Sequence, residues 1–236
     1  MPQHTTVHPL LKPYSHMKKS ILLLITLLLS LSLCAQTEEE IKGWAEKGIA
    51  AYKQGNHQEA ILYFEKCKEA YEEQKKDDEH YGNILYILAD CYSKTEDYNK
   101  AVEYGTKALE IRKATLGESH PDYATSLNNL AFYFSSLGDY AKAVEYETKA
   151  MEIRKATLGE NHPDYTSALN NLATYYSYLG DYAKAVEYGT KALEIRKRTL
   201  GENHPSYATS LDNLAGFFSD LGYHAKASSI RKGRKR

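Results

Sequence analysis

LGENHPDY, residues 158–165, brings a glycine, a glutamate, a histidine, a proline and an aspartate together within eight positions, the mixture that metal and acid/base sites use. The stretch also returns. LGESHPDY stands at 116–123 and LGENHPSY at 200–207, each copy 42 residues from the next. A fixed period in the range of about 20–50 residues is the mark of an array of stacked supersecondary units, so the period has to be read before any site is sought.

Aligned on that period, the chain shows the helix pairs 121–136 with 139–157, 163–178 with 181–199, and 205–220 with a shortened partner from 223. Leu127, Leu130, Ala131 and Phe134 fall at i, i+3, i+4 and i+7, one apolar face of a helix. Tyr140, Ala143, Val144, Ala150 and Met151 form the matching face of the second helix. Between them Gly138 ends one helix and Asp139 caps the next. Two more diverged units precede these, Trp44–Lys53 with His57–Gln74 and Tyr81–Lys94 with Tyr98–Thr115. Ala60, Ala101, Ala143, Ala185 and Ala227 keep the register, at spacings of 41, 42, 42 and 42.

Trp44, Gly48, Gly55, Ala60 and Phe64 resemble the tetratricopeptide repeat (TPR) pattern W-x3-G-x6-G-x4-A-x3-F. Its Leu-Ala-x2-aromatic core returns as Leu88-Ala89-Tyr92, Leu130-Ala131-Phe134, Leu172-Ala173-Tyr176 and Leu214-Ala215-Phe218. With a period of 42 and the loop LGxxHPxY, the array looks like the kinesin-light-chain type. The resemblance implies an all-α fold, a right-handed α-solenoid of about five helical hairpins covering 36–232, with repeats near 41–76, 80–117, 121–159, 163–201 and 205–232. One departure stands out: where the pattern wants an aromatic in the second helix, this chain has Gly105, Glu147 and Gly189, with Tyr104, Tyr146 and Tyr188 one position earlier.

Each residue of LGENHPDY then has a structural task. Gly159 suits a left-handed helix terminus, Pro163 a first helical position, and Asp164 the positive end of the helix dipole. A metal would need His120, His162 and His204 to converge. Equivalent points on neighbouring helices lie roughly 8–10 Å apart, against about 2 Å for a zinc–nitrogen bond. The sequence carries no phosphate loop, nucleophile elbow or zinc motif, and reads as non-enzymatic, without metal or cofactor.

The face opposite the buried stripe is expected to line a concave groove, where solenoids bind. It offers Asn128, Asn129 and Phe132 in one unit, Asn170, Asn171, Thr174 and Tyr178 in the next, and Asp212 and Asn213 in the last. By the resemblance, Asn129, Asn171 and Asn213 match the amides with which peptide-binding arrays hold a ligand's backbone; the competing reading makes them packing or solvated residues. Lysines and arginines of a carboxylate clamp are missing here, and Asp90, Asp212 and Asp220 tilt the groove toward neutral or basic segments. Glu103–Lys107, Glu145–Lys149 and Glu187–Lys191 read as solvated i,i+4 pairs.

The formal net charge of -1 gives no reason to expect nucleic acid. From Met17 the chain reads MKKSILLLITLLLSLSLCAQ, a basic start, a 13-residue apolar run from Ile21 to Leu33, and Cys34-Ala35-Gln36. That is the layout of a secretory signal peptide, residues 17–35, and the run is too short for a membrane span. It resembles signal peptides of Bacteroidetes-type bacteria and places the mature chain in the periplasm or outside the cell. Residues 1–16 precede this better start and are set aside as an untranslated leader. Cys34 admits a second reading as a lipidated cysteine, although Leu33 is not the small residue that reading wants. Cys67 and Cys91 sit at helical core positions, where free buried thiols outnumber disulfides. After HAKA the last helix loses register and ends in the basic cluster RKGRKR, with 233–236 as a tail, which a frameshift or truncation would explain.

Three functions fit: a scaffold that binds a peptide or protein segment in its groove, the sensory part of a longer effector such as a CHAT-type protease, or an array that self-associates through its C-terminal hairpin.

Overall fold

The computed structural model describes residues 37–233, so the leader and signal peptide expected over residues 1–35, with Cys34, and residues 234–236 of the tail lie outside the described residues. Ten helices and no strand occur within it: α1 Glu38–Lys53, α2 His57–Glu73, α3 Glu79–Lys94, α4 Tyr98–Leu116, α5 Pro121–Ser136, α6 Tyr140–Leu158, α7 Pro163–Tyr178, α8 Tyr182–Leu200, α9 Pro205–Asp220 and α10 His224–Gly233. Each helix packs on the next in sequence. The odd-numbered helices also touch one another, α3 with α5 and α7 with α9, so the first helices of the hairpins line one side of the array. None of the described helices is long and apolar enough to cross a membrane.

The start and stop signals are local. α1 opens six residues before Trp44 because Thr37 and Glu40 form a reciprocal capping box, with Glu38, Glu39 and Glu40 at the positive end of the helix dipole. Asp97, Asp139 and Asp181 each accept the backbone N–H three residues on, starting α4, α6 and α8. Gly159 does turn to positive φ, at +84°, but its ψ of 165° puts it in the extended mirror region and not in the left-handed helical one. That region is essentially closed to residues with a Cβ.

Packing inside the three middle hairpins repeats one arrangement. The tyrosine displaced by one position finds a ring on the first helix: Phe134 stacks on Tyr146 with centroids 5.3 Å apart, Tyr176 on Tyr188 at 5.5 Å, and Tyr92 lies against Tyr104 at 5.5 Å. A lysine also lies over the first-helix ring, with Lys100, Lys142, Lys184 and, in the last hairpin, Lys226 over Tyr92, Phe134, Tyr176 and Phe218 at 4.1–4.8 Å. Such contacts contribute on the order of 1 kcal/mol each. The anchoring alanines 60, 101, 143, 185 and 227 are all buried.

Aromatic and small residues trade places along the array. In the first hairpin Gly48 is bare because the Phe64 ring lies where its Cβ would point, at 2.9 Å. In later hairpins the bare position is on the second helix, Gly105 and Gly189, and the ring comes from the next first helix, Tyr133 and Phe217. Cys67 and Cys91 are free and buried.

Candidate functional site

Asn128, Asn129, Phe132, Asn170, Asn171, Thr174, Tyr178, Asp212 and Asn213 all lie on α5, α7 and α9, the first-helix side. Their side chains are not simply presented to solvent. Asn129 donates its Nδ2 to Tyr86 Oη at 3.1 Å, Asn171 to Glu147 Oε1 at 3.2 Å and Asn213 to Asn170 Oδ1 at 3.2 Å. Every one of these bonds crosses to an earlier repeat. Each amide carries two donors and one acceptor group, so beyond that bond it keeps its carbonyl oxygen and a second N–H. Asn128 is occupied differently, accepting from Arg154 Nη1 at 3.0 Å, and Thr174 returns its hydroxyl to the Asn170 carbonyl at 3.1 Å.

Two rings stand beside this row. Phe132 is 48% exposed and Tyr178 59% exposed, large apolar surfaces for a folded chain. Both are braced from the preceding repeat: Phe132 edge-on to Tyr98 with centroids 6.2 Å apart, Tyr178 against Tyr140 at 4.9 Å. The bracing residues are the first residues of α4 and α6, fixed in turn by the aspartate caps before them. Asp212 is exposed on α9.

The N-terminal part of the same side has different chemistry. A cavity of about 550 Å³ opens between α1 and α3 and is lined by Ile41, Ala45, Ile49, Ile84 and Ile87, with Lys42, Lys76 and Asp78 also in its lining. Ile87 holds the position that Asn129, Asn171 and Asn213 hold later. The face is therefore apolar at one end and amide-rich at the other. Asp90 accepts from Tyr52 Oη at 2.8 Å; burial, reinforced by that bond, pushes the Tyr52 phenol up.

The polar residues that link the repeats were not evident from sequence. Arg112, Arg154 and Arg196 belong to the recurring EIRK, three charged residues in four. Yet Arg112 is 6% exposed and donates to Ser126 Oγ and to the Asp122 carbonyl, and Arg154 and Arg196 reach the equivalent carbonyls of Asp164 and Ser206. Burial holds Arg112 and Arg196 below the ordinary guanidinium value. Glu147, noted only as a departure from the repeat pattern, is fully buried.

The histidines of the recurring loop have a capping task. His120, His162 and His204 each accept through Nδ1 the backbone N–H two residues on, at 3.1 Å, and so start α5, α7 and α9. Among the described residues no group of three or more His, Cys, Asp or Glu side chains comes together as a metal site would require.

The tetratricopeptide repeat family profile matches residues 42–114, 82–156, 148–198 and 167–230. Among solved structures, BtubC (BKLC) from P. vanneervenii is 26% identical with a TM-score of 0.70, over 80% of this chain and 76% of that one. A Podosopora anserina kinesin light chain-type protein of nearly identical TPR-like repeats is 24% identical with a TM-score of 0.75, over 85% of this chain and 96% of that one. A curated nucleotide-binding leucine-rich repeat (NLR)-like protein of Hyaloscypha variabilis is 38% identical over 72 residues, which is 30% of this chain; the match spans only 7% of that relative's length.

Proposed function

Because the chain belongs to the tetratricopeptide repeat family, we propose that it is a non-enzymatic scaffold holding an extended, neutral or basic protein segment along its first-helix side. The family's fold suggests protein–protein interaction; the segment's chemistry is read from the side chains. The observation that carries this reading is the pairing of amide carbonyls with braced, exposed rings on α5 and α7. Asn129 and Asn171 have committed an N–H inward, which leaves acceptors suited to a backbone N–H or to a lysine or arginine head. Phe132 and Tyr178 supply flat apolar surface already fixed in place, so little ordering is lost on binding. Apolar side chains of the same segment fit the isoleucine-lined cavity between α1 and α3. The signal-like residues 17–35 support export of the scaffold to the periplasm or medium.

A peptide library screened against the purified chain tests this. Enriched peptides should be uncharged or basic, and the double variant F132A/Y178A should bind them at least about tenfold more weakly with its helix content intact. Enrichment of acidic peptides, or equal binding by the double variant, would refute it. The asparagines are poor targets for this test, because each also holds an earlier repeat.

A second reading draws on the NLR-like relative, in which the matched stretch is a small part of a much longer protein. There the array would serve as the partner-sensing portion of a larger effector.

A further inference from the structure

At residue 147 the repeat departs from its own packing. The equivalent positions, Gly105 and Gly189, have no spare room: a Cβ on Gly105 would stand 3.1 Å from Leu130 Cδ2 and 3.3 Å from the Tyr133 ring, and one on Gly189 would stand 3.2 Å from the Phe217 ring. Between α6 and α7 the structure instead encloses a whole glutamate, with no solvent exposure. Glu147 Oε1 accepts from Asn171 Nδ2 at 3.2 Å, while Oε2 is shut in with no hydrogen-bond partner among the described residues.

The neighbouring groups compensate a charge there only in part. Arg154, on the same helix, stays 3.9 Å from Oε1, beyond hydrogen-bond reach. Its guanidinium is drawn instead to Asn128 Oδ1 on α5 at 3.0 Å and to the Asp164 carbonyl on α7 at 3.5 Å. From α7 the ionisable neighbour is Tyr175, whose phenol is pushed up by burial and by Glu147, so it is neutral at physiological pH. On α5 the residue that takes the Arg154 hydrogen bond is the uncharged Asn128. A carboxylate enclosed with one neutral donor, one cation at 3.9 Å and one oxygen without a partner is costly to ionise; the neutral acid is far less costly to bury.

The core is also divided at this place. One apolar cluster runs from Ile41 in α1 to Ala150 in α6 and takes only Tyr175 from α7, and in the other direction Met151 of α6 packs on the cluster around Tyr165. The other buried apolar residues of α7 to α10 fall mainly into two separate clusters, one around Tyr165, Leu169 and Ile195, the other around Leu214 and Phe217. A seam in the core with a polar group inside it is where local opening costs least.

We propose that the α6–α7 junction is a proton-operated joint: Glu147 packs as the neutral acid, and its ionisation loosens α6 from α7 while the other junctions stay closed. The two parts that then move against each other are α1–α6 and α7–α10. Burial pushes the Glu147 carboxyl up to about 7, with Arg154 and the Asn171 donor pulling the other way, so the joint responds around neutrality.

Hydrogen-exchange mass spectrometry on the purified chain, corrected for the intrinsic effect of pH on exchange, tests the joint. Between about pH 5.5 and about pH 8 the opening of α6 and α7 should increase at least tenfold in the parent and stay constant in α3 and α4. Glu147→Gln, a neutral isostere, and Glu147→Gly, the residue of the other junctions, should both abolish the increase. Equal protection at the two pH values in the parent would overturn the proposal. So would a pH response that survives in Glu147→Gln, or one spread evenly over all helices.

Discussion

Arg112 on α4 holds its guanidinium 4.0 Å from the centre of the Tyr86 ring on α3. The same group donates to Asn83 Oδ1 on α3 at 3.0 Å and forward to Ser126 Oγ on α5 at 2.8 Å. One side chain thus ties both helices of its hairpin to the next hairpin. The forward step is a fixed one: each of Arg112, Arg154 and Arg196 reaches the carbonyl ten residues on.

Replacing Arg112 with alanine should therefore destabilise the array by roughly 2–4 kcal/mol, the sum of a cation–π contact and several charged hydrogen bonds whose partners are left buried. Arg112→Lys should recover less than half of that, since an ammonium cannot reproduce the planar fork. Urea unfolding measures both. An Arg112→Ala variant within about 0.5 kcal/mol of the parent would show that these bonds add nothing net.

Glu96 carries a strain that its counterparts avoid. Its φ is +65°, at the position held by Gly138, Gly180 and Gly222 in the later hairpins. A side chain in that region costs on the order of 1 kcal/mol. Glu96→Gly should raise stability by about 0.5–1 kcal/mol, and Gly138→Ala should lower it by about 1 kcal/mol. Thermal melts of the two variants should move in opposite directions; a melting point lowered by Glu96→Gly would mean that the side chain supplies something the turn needs.

The hairpins, their register and the turns at Gly138 and Asp139 were legible in the sequence because they depend on signals within a few residues of one another. What could not be read was direction. Asn129, Asn171 and Asn213 occupy the expected side, but the partner of each amide is set by a side chain 24 to 43 residues away. The role of Arg112 has no local signal, because its partners Ser126 and Asn83 lie across helix contacts, 14 and 29 residues away. The histidine of LGENHPDY was tested as a metal ligand and set aside, yet its cap could have been anticipated: it directly precedes the proline that opens the helix, where a side-chain acceptor is wanted.

The two thiols should be inert in the native chain. Burial pushes Cys67 up to about 11 and Cys91 up to about 12, so almost no thiolate exists near neutrality, and both are fully enclosed. Iodoacetamide at neutral pH should leave both unmodified until denaturant is added, as intact mass would show. Rapid native labelling of Cys67 would mean that α1, whose Ile41 carbonyl receives its S–H at 3.6 Å, detaches readily from α2.

Stability against pH should have two limbs of opposite origin. Asp139 and Asp181 are held below the ordinary aspartate value, chiefly by the backbone N–H groups they cap, so their contribution is present above that value and is lost as pH falls through the lower folded one. Glu147 works the other way. Its folded value of about 7 exceeds its ordinary 4.5, so its contribution is complete below 4.5 and is lost as pH rises through 7, at a cost on the order of 3 kcal/mol at most. The melting temperature should therefore peak well on the acid side of neutrality, near about pH 4–4.5, between the ordinary aspartate value and the ordinary glutamate value, and decline from there toward about pH 7. Asp139→Asn with Asp181→Asn should flatten the acid limb, and Glu147→Gln should lift the alkaline one. A parent whose melting temperature holds level from about pH 5 to about pH 8 would mean that folding does not raise the Glu147 carboxyl, and would remove the alkaline limb altogether.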